Sequence, residues 1–521
     1  MPKKKTTPTF IHEFPLVVTP KDNRILGVRL HAAAQVYNAV IGEGLKRLDL
    51  MRQSREWQKC IRLDKDDPQR NARFNALKKH FGLSDFAMQE IARKHHKDGK
   101  LTDRLDTHAA QKLGTRAWKS IERHMYGKAG RPRFKPYQRF SSIEGKSNAA
   151  GIMWRDGRVK WKGLDLKVIF DQKDKHGVEA HALMSRIKFV KLVRRQVKGK
   201  TRWYVQLALE GSPHLKKKNT LAHGKEAGID VGPSTIAVVG EKEAFLVRFC
   251  DEIEALGSQL RLIQRKMDRS KRATNPQNYR EDGTIKKGRK TWTYSNHYRQ
   301  LQGEYNETHR KLSATRKRLH GELINRVLSV GTIIKAEKLS YRAFQLLFGR
   351  SVRDRAPGMF MTELCRKAEN AGGQLIEFST RTTKLSQTCL CGKVEKKDLS
   401  ERWHSCQCGA DMQRDLFSAY LAKHVHEESL SIPKATSAWA GSEPILEQAM
   451  ERLCHEVANG RRSNIPASFG LDIYRRRSRS SVNLAVPVVE SGDVVGRLRS
   501  FQYVPRAPRR HCRETTPEIQ V

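Results

Sequence analysis

The stretch "KLSQTCLCGKVEKKDLSERWHSCQCGADMQRDLFSAYLA", residues 384–422, restricts the folding of this chain more than any other. It holds Cys389 and Cys391, then Cys406 and Cys408, each pair closed by a glycine, with Asp415 seven positions after the last thiol at the head of an apolar, helix-like run. Two such turns can present four thiolates tetrahedrally to Zn²⁺, because glycine lets the backbone turn tightly and aim its amides at sulfur. Both pairs are C-x-C, one residue shorter than the usual ribbon spacing. The segment "KVEKKDLSERWHS" is expected to form the hairpin between the pairs, with His404 as the substitute ligand if one cysteine cannot reach. Four protein ligands leave no open position, so the knuckle is a structural element. The five other cysteines (Cys60, Cys250, Cys365, Cys454, Cys512) stand singly, which speaks against a secreted disulfide framework and for reduced thiols.

Three acids sit inside otherwise apolar segments: Asp230 in "AGIDVG", Glu337 in "TIIKAEKL" and Asp415 in "MQRDLFSAYLA". A lone charge is costly in such places. If strands bring the first two side by side and a helix beginning near Arg414 aims the third at them, the three carboxylates cannot all stay ionised without cations. Hard oxygen ligands select Mg²⁺ or Mn²⁺, and two such ions about 4 Å apart can activate water and stabilise the leaving oxygen of a phosphodiester. Asp230 would then bridge both ions, with Glu337 and Asp415 completing one side each. Taken singly, each acid also reads as a strand-end turn residue or a helix N-terminal charge.

Charge supplies the partner class. Lys and Arg number 101 against 55 Asp and Glu, a formal charge of +46 spread along the whole chain. A polyanion is the expected partner, and nucleic acid rather than a membrane, since no apolar span of about 18 residues appears. Arg131, Arg133 and Lys135 in "GRPRFK", with Lys286, Lys287, Arg289 and Lys290 in a polar loop, are the candidate nucleic-acid contacts. The apolar run after "MPKKKTTPTF" is too short and interrupted for a signal peptide, so a cytoplasmic location is expected. No small-molecule substrate is expected.

At 521 residues, several domains are expected. Residues 1–27 and 126–220 alternate apolar and polar positions around Gly turns and read as one β-rich module. Residues 28–125 carry the apolar spacing of basic helices. Residues 225–425 alternate strands and helices, with a helical hairpin over 251–330 and the knuckle over 384–410. The Arg-, Ser- and Pro-rich stretch 433–521 is expected to be a mobile basic tail.

In this order, "GIDVG", "KAEKLS", "SQTCLCG" with "CQCG", and "QRDLFSA" resemble the RuvC-like nuclease domain of the transposon-encoded protein TnpB and its descendants, the compact type V CRISPR effectors. The resemblance covers about residues 225–425, and extends loosely over the N-terminal half, where "GRPRFK" and the basic helices look like wedge and recognition modules. It implies a multidomain α/β chain: a RuvC-like (ribonuclease H-like) nuclease domain with an inserted zinc ribbon, a β-rich wedge and an α-helical recognition region. It also implies Asp230, Glu337 and Asp415 as the catalytic triad, and RNA-guided DNA cleavage in which a guide RNA pairs with target DNA while the protein holds the duplex by its backbone.

Three other readings compete. "GIDVGPST" also fits the phosphate hairpin of an actin-like ATPase or sugar kinase, but no second Gly-rich phosphate loop follows and such basicity has no use there. A transposase of similar core would order its acids Asp, Asp, Glu, whereas here the order is Asp, Glu, Asp. A nucleic-acid-binding regulator without cleavage would account for the charge but not for the buried acids.

Overall fold

The computed structural model describes residues 7–64, 66–216, 218–398, 400–460 and 465–475. Strand β1 (Thr9–Pro15) leads into α1 (Pro20–Gln53), which opens on a capping box formed by Thr19 and Asp22. Helices α2 (Arg55–Arg62), α3 (Pro68–His80), α4 (Asp85–Asp98) and α5 (Thr107–Met125) follow. Then come β2 (Ser142–Glu144), the meander β3 (Met153–Arg155), β4 (Arg158–Trp161) and β5 (Leu164–Lys167), the short α6 (Val178–Met184), and the long strands β6 (Ile187–Val197) and β7 (Lys200–Glu210).

The antiparallel sheet β1-β7-β6-β2 is completed by the N-terminal strand, with Phe14 opposite Val205. The turn between β6 and β7 places Lys198 and Gly199 both at positive φ (51° and 74°), the geometry that matches strand twist in a two-residue hairpin. One apolar core joins this sheet to the helices through Phe14, Tyr37, Trp118 and Trp161. Arg29, only 6% exposed, is satisfied by the carbonyls of Trp161 and Lys162 at 2.8 and 2.6 Å.

A second core begins at β8 (Glu226–Val231), followed by β9 (Thr235–Val239) and β10 (Ala244–Arg248). The helices α7 (Ile253–Thr274) and α8 (Asn296–Val330) form an antiparallel pair before β11 (Ile333–Glu337), α9 (Tyr341–Arg355), α10 (Pro357–Asn370) and β12 (Gln374–Phe378). A single turn, α11 (Thr380–Thr383), leads to the cysteine segment. The hairpin β13 (Trp403–Ser405) and β14 (Asp411–Gln413), then α12 (Arg414–Lys423), the small ladder β15 (Val425–His426) and β16 (Ser429–Leu430), and α13 (Ile432–Ala458) complete the order.

The five strands run β10-β9-β8-β11-β12, with β11 parallel to both β8 and β12. Strand side chains alternate between faces. Ala227, Ile229, Val231, Ile334 and Ala336 therefore point one way, into a core with Ile324, Val327, Phe360 and Leu364 of α8 and α10. Glu226, Gly228, Asp230, Lys335 and Glu337 share the other face, which α12 covers.

Two expectations are corrected. Residues 432–458, expected within a mobile tail from 433, form the 27-residue α13, whose Leu446, Met450 and Leu453 are buried. Residues 476–521 of that stretch lie outside the described residues. The hairpin in the cysteine segment spans the second pair, Trp403 facing Gln413, and does not lie between the pairs. The C-x-C-G turn itself reverses the chain, and the charged run 395–402 lacks the alternation a ladder needs. Among the described residues, no helix is long and apolar enough to cross a membrane.

Candidate active site and metal centre

Gly228 decides where the third acid goes. A Cβ there would lie 2.0 Å from the Ala419 carbonyl oxygen and 2.5 Å from the Lys423 amide nitrogen, so α12 rests directly on the backbone of β8. Asp230 is two residues beyond Gly228 on the same strand face, and Asp415 is one helical turn before Ala419 on the same helix face. The close approach thus sets both carboxylates at one end of the contact. Glu337 joins them from β11, whose Ala336 is paired with Ile229.

The other end of α12 is fixed by a buried cation. Lys335, 3% exposed, donates to Glu226 Oε2 and to the Lys423 carbonyl, both at 2.9 Å, and so closes the helix C-terminus with a positive charge. At the first turn, the Gln413 side chain accepts from the Leu416 amide at 2.8 Å and donates to Ser468 O at 3.1 Å. Lys335, flanked by apolar residues in "TIIKAEKL" and two residues from Glu337, was the available signal for this anchor, and sequence reasoning missed it.

The electrostatics of the acids follow from this packing. Asp230 is held well above the usual carboxylate range, first by burial and then by the charges of Asp415 and Glu337, with Arg414 opposing. Burial also raises Asp415, against the pull of Arg414 and Arg402. Glu337 is raised by burial, while the Leu385 amide and the Thr383 hydroxyl, 3.5 Å from Oε1, favour its charged form. The chain entering the knuckle therefore contacts Glu337, and the chain leaving it carries Asp415.

In the knuckle, Cys389 Sγ lies 3.4 Å from Cys408 Sγ, and Cys391 Sγ lies 3.7 Å from Cys406 Sγ. Among the described residues, these four thiols are the one set of three or more His, Cys, Asp or Glu side chains whose donor atoms all fall within 4.8 Å of each other. Gly392 and Gly409 close the two turns at φ of 82° and 94°, a region that favours glycine. Cys406 is lowered to about 7, chiefly by the Cys408 amide, whereas burial raises Cys389. His404 Nε2 is 3.2 Å from Cys389 Sγ, and burial together with Lys397, which contacts its Nδ1, lowers its pKa to about 4. Its ring stacks on Phe417 of α12 at 4.1 Å and 14°. The donor set suits zinc.

The basic candidates lie on two separate segments. Arg131 is forked onto Asp49 of α1 at 3.0 and 2.7 Å, and Lys135 is held through its backbone by Asn38 with its Nζ 5.0 Å from the Tyr37 ring centroid. Arg133 is exposed between them. Lys286, Lys287 and Arg289 are exposed on the loop between α7 and α8, where Lys290 donates to the carbonyls of Lys287 and Gly288 at 2.8 and 3.2 Å.

A strand-borne pair of acids, a helix-borne third and a four-thiol knuckle wedged between them define a two-part site, one part suited to hard cations and the other to zinc. Residues 358–421 match the family model "Cas12f1-like, TNB domain". The matched segment includes all four cysteines and Asp415, so a Cas12f1-like TNB domain is where the resemblance to compact type V effectors is met. The chain is similar, at 11% identity and a TM-score of 0.42, to the protein of a cryo-EM Cas12f1–sgRNA–target DNA complex, over 79% of this chain and 98% of that one. For a cryo-EM CRISPR–Cas12f ternary complex the values are 13% identity, a TM-score of 0.28, and 79% and 83% coverage. No curated protein matches the sequence.

Proposed function

We propose that this chain is an RNA-guided DNA endonuclease whose RuvC-type site consists of Asp230, Glu337 and Asp415, with guide RNA and target DNA as partners. The observation that carries this reading is the Gly228 contact, which seats α12 so that its first-turn acid faces the acid at the end of β8. Burial raises the proton affinity of both and Asp415 raises that of Asp230 further, the electrostatic state of a site that gains from a divalent cation. The three carboxylates would hold Mg²⁺ or Mn²⁺, which when bound supplies an activated water and charge stabilisation at the phosphate.

The chain's own residues do the rest. The three acids are half-buried, which leaves their oxygens within reach of an ion. Arg414 and Arg402, whose charges act on Asp415, offset part of the burial that raises its proton affinity. The four cysteines would hold Zn²⁺ as a structural ion, keeping α12 and the Glu337-contacting segment in register. The unpaired Lys and Arg would neutralise phosphates without reading sequence.

The test is cleavage of a guide-matched DNA duplex by purified complex. Asp230→Ala, Glu337→Ala and Asp415→Ala each lower the rate by at least about 10³-fold while RNA binding is retained. The competing reading is a guided binder that does not cut, and absence of cleavage by the wild-type complex with RNA and DNA binding retained would establish it.

A further inference from the structure

One side of the α7–α8 pair carries rings and cations in a row. Tyr294 and Tyr298 stack with centroids 4.6 Å apart at 30°. Further along α8, Tyr305 meets His309 edge-on at 4.4 Å and accepts from Gln264 Nε2 at 3.0 Å. Arg261, Gln264, Arg265, Asp268, Tyr298 and Tyr305 line one open cleft here. A second cleft, which shares Arg261, continues onto α9 between Leu347, Phe348, Arg350 and Asp354.

This second cleft reaches the neighbourhood of the acids. Ser351 of α9 donates to the Pro233 carbonyl at 2.7 Å, and Pro233 lies three residues beyond Asp230 in the turn after β8. Leu346 and Leu347 are 84% and 74% exposed at this point, next to Phe348, where the helix bends out of α-helical geometry (φ −124°, ψ 33°).

We infer that the connected clefts are a binding track for unpaired DNA, with Tyr298 and Tyr305 as stacking platforms and Arg265, Arg261 and Arg350 as phosphate contacts leading toward Asp230. Three features select a single-stranded nucleic acid, and the nuclease reading above selects DNA. Arg265 and Arg350 are exposed and form no ion pair among the described residues, so the track carries unneutralised positive charge. A second copy of a chain with formal charge +46 would be repelled by it. Rings set along one helix can stack only on bases not already stacked in a duplex, and each stacked base adds sequence-tolerant affinity. The direction of the track rests on the nuclease reading above, since the acids give the strand its destination, whereas the binding itself does not.

The test uses the full-length chain with Asp230→Ala, to prevent degradation, and a 5-iodouracil-substituted oligo-dT strand at about 0.3 M NaCl, where purely phosphate-driven binding is weak. Photocrosslinks mapped to the peptides holding Tyr298 and Tyr305 are expected, and crosslinks confined to other segments overturn the track. In anisotropy titrations, the Tyr298→Ala/Tyr305→Ala double variant should bind about tenfold or more weakly, and Tyr298→Phe/Tyr305→Phe should restore affinity because the rings remain. Unchanged affinity of the alanine variant, tighter binding of an oligo-U RNA of equal length, or a loss of self-association in place of DNA binding each refute it. A chain that crosslinks at the tyrosines but never cuts DNA keeps the track and loses the nuclease reading.

Discussion

The thiol cluster and the carboxylate cluster sit at the two ends of one short stretch of chain, yet they stand in different states. The thiols have all their sulfur atoms within 4.8 Å of each other, whereas the acids come from separate elements and act on one another through charge, Asp415 and Glu337 raising the proton affinity of Asp230. Charge accounts for the difference. Protonated thiols are neutral and tolerate contact, so turns closed by Gly392 and Gly409 gather them through backbone geometry alone. Carboxylates repel, and burial makes the repulsion expensive, so on the proposed reading this cluster is the one that gains from a cation.

The largest expected effect lies on the thiol side. Cys389→Ser or removal of zinc by a strong chelator should uncouple the knuckle from α12, because a structural zinc is worth on the order of 10 kcal/mol of folding free energy. Metal analysis should show one zinc per chain in the wild type and none in the variant, with cleavage lost. If the variant keeps its fold and activity, the thiols need no ion and the contrast fails.

Gly228→Ala comes next. Overpacking costs about 1–3 kcal/mol in general. Here the added carbon would meet a backbone oxygen at 2.0 Å, so α12 must move and take Asp415 with it. Cleavage should fall by more than the change in melting midpoint accounts for, while zinc content stays at one per chain.

Asp230→Asn sharpens the comparison from the carboxylate side. A carboxyl whose proton affinity is raised by folding stabilises the chain below the ordinary carboxylate pKa, and that contribution is lost as pH rises through the raised value. Without divalent ions the wild type should melt lower at pH 7 than at pH 5, and Asp230→Asn should flatten this slope and gain a few degrees at pH 7. Added Mg²⁺ should raise the wild-type midpoint more than that of the variant.

The smallest effect is expected at Arg131. Its guanidinium already serves Asp49, so Arg131→Ala should weaken RNA binding less than Arg133→Ala does, as read by filter binding at matched salt. A larger loss at Arg131 would mean that the pair opens on binding.

Much of the site was legible because its residues break local rules. A charge inside "AGIDVG" or "TIIKAEKL" and a pair of C-x-C-G turns stand out against any helix or strand pattern. What stayed hidden depends on contacts distant in sequence. Gly228 looks like an ordinary strand glycine until α12 is laid on it, and Lys335 looks like a surface lysine until Lys423 supplies its carbonyl. The segment of α13 was misread because Pro433, Pro444 and several Ser and Gly residues mimic a loop, although Leu446, Met450 and Leu453 keep helical spacing.

Helix α13 gives the knuckle a backrest. Thr436 Oγ1 donates to the Leu390 carbonyl inside the first cysteine turn at 2.9 Å, and Trp439 packs edge-on against Phe417 and Tyr420 at 5.4 and 5.1 Å. Shortening the chain before residue 432, as a size-minded engineer would be tempted to do, would spare the four knuckle thiols and the three site acids and still leave the ribbon leaning on nothing. The defect would then be blamed on the ion when its origin is a missing wall.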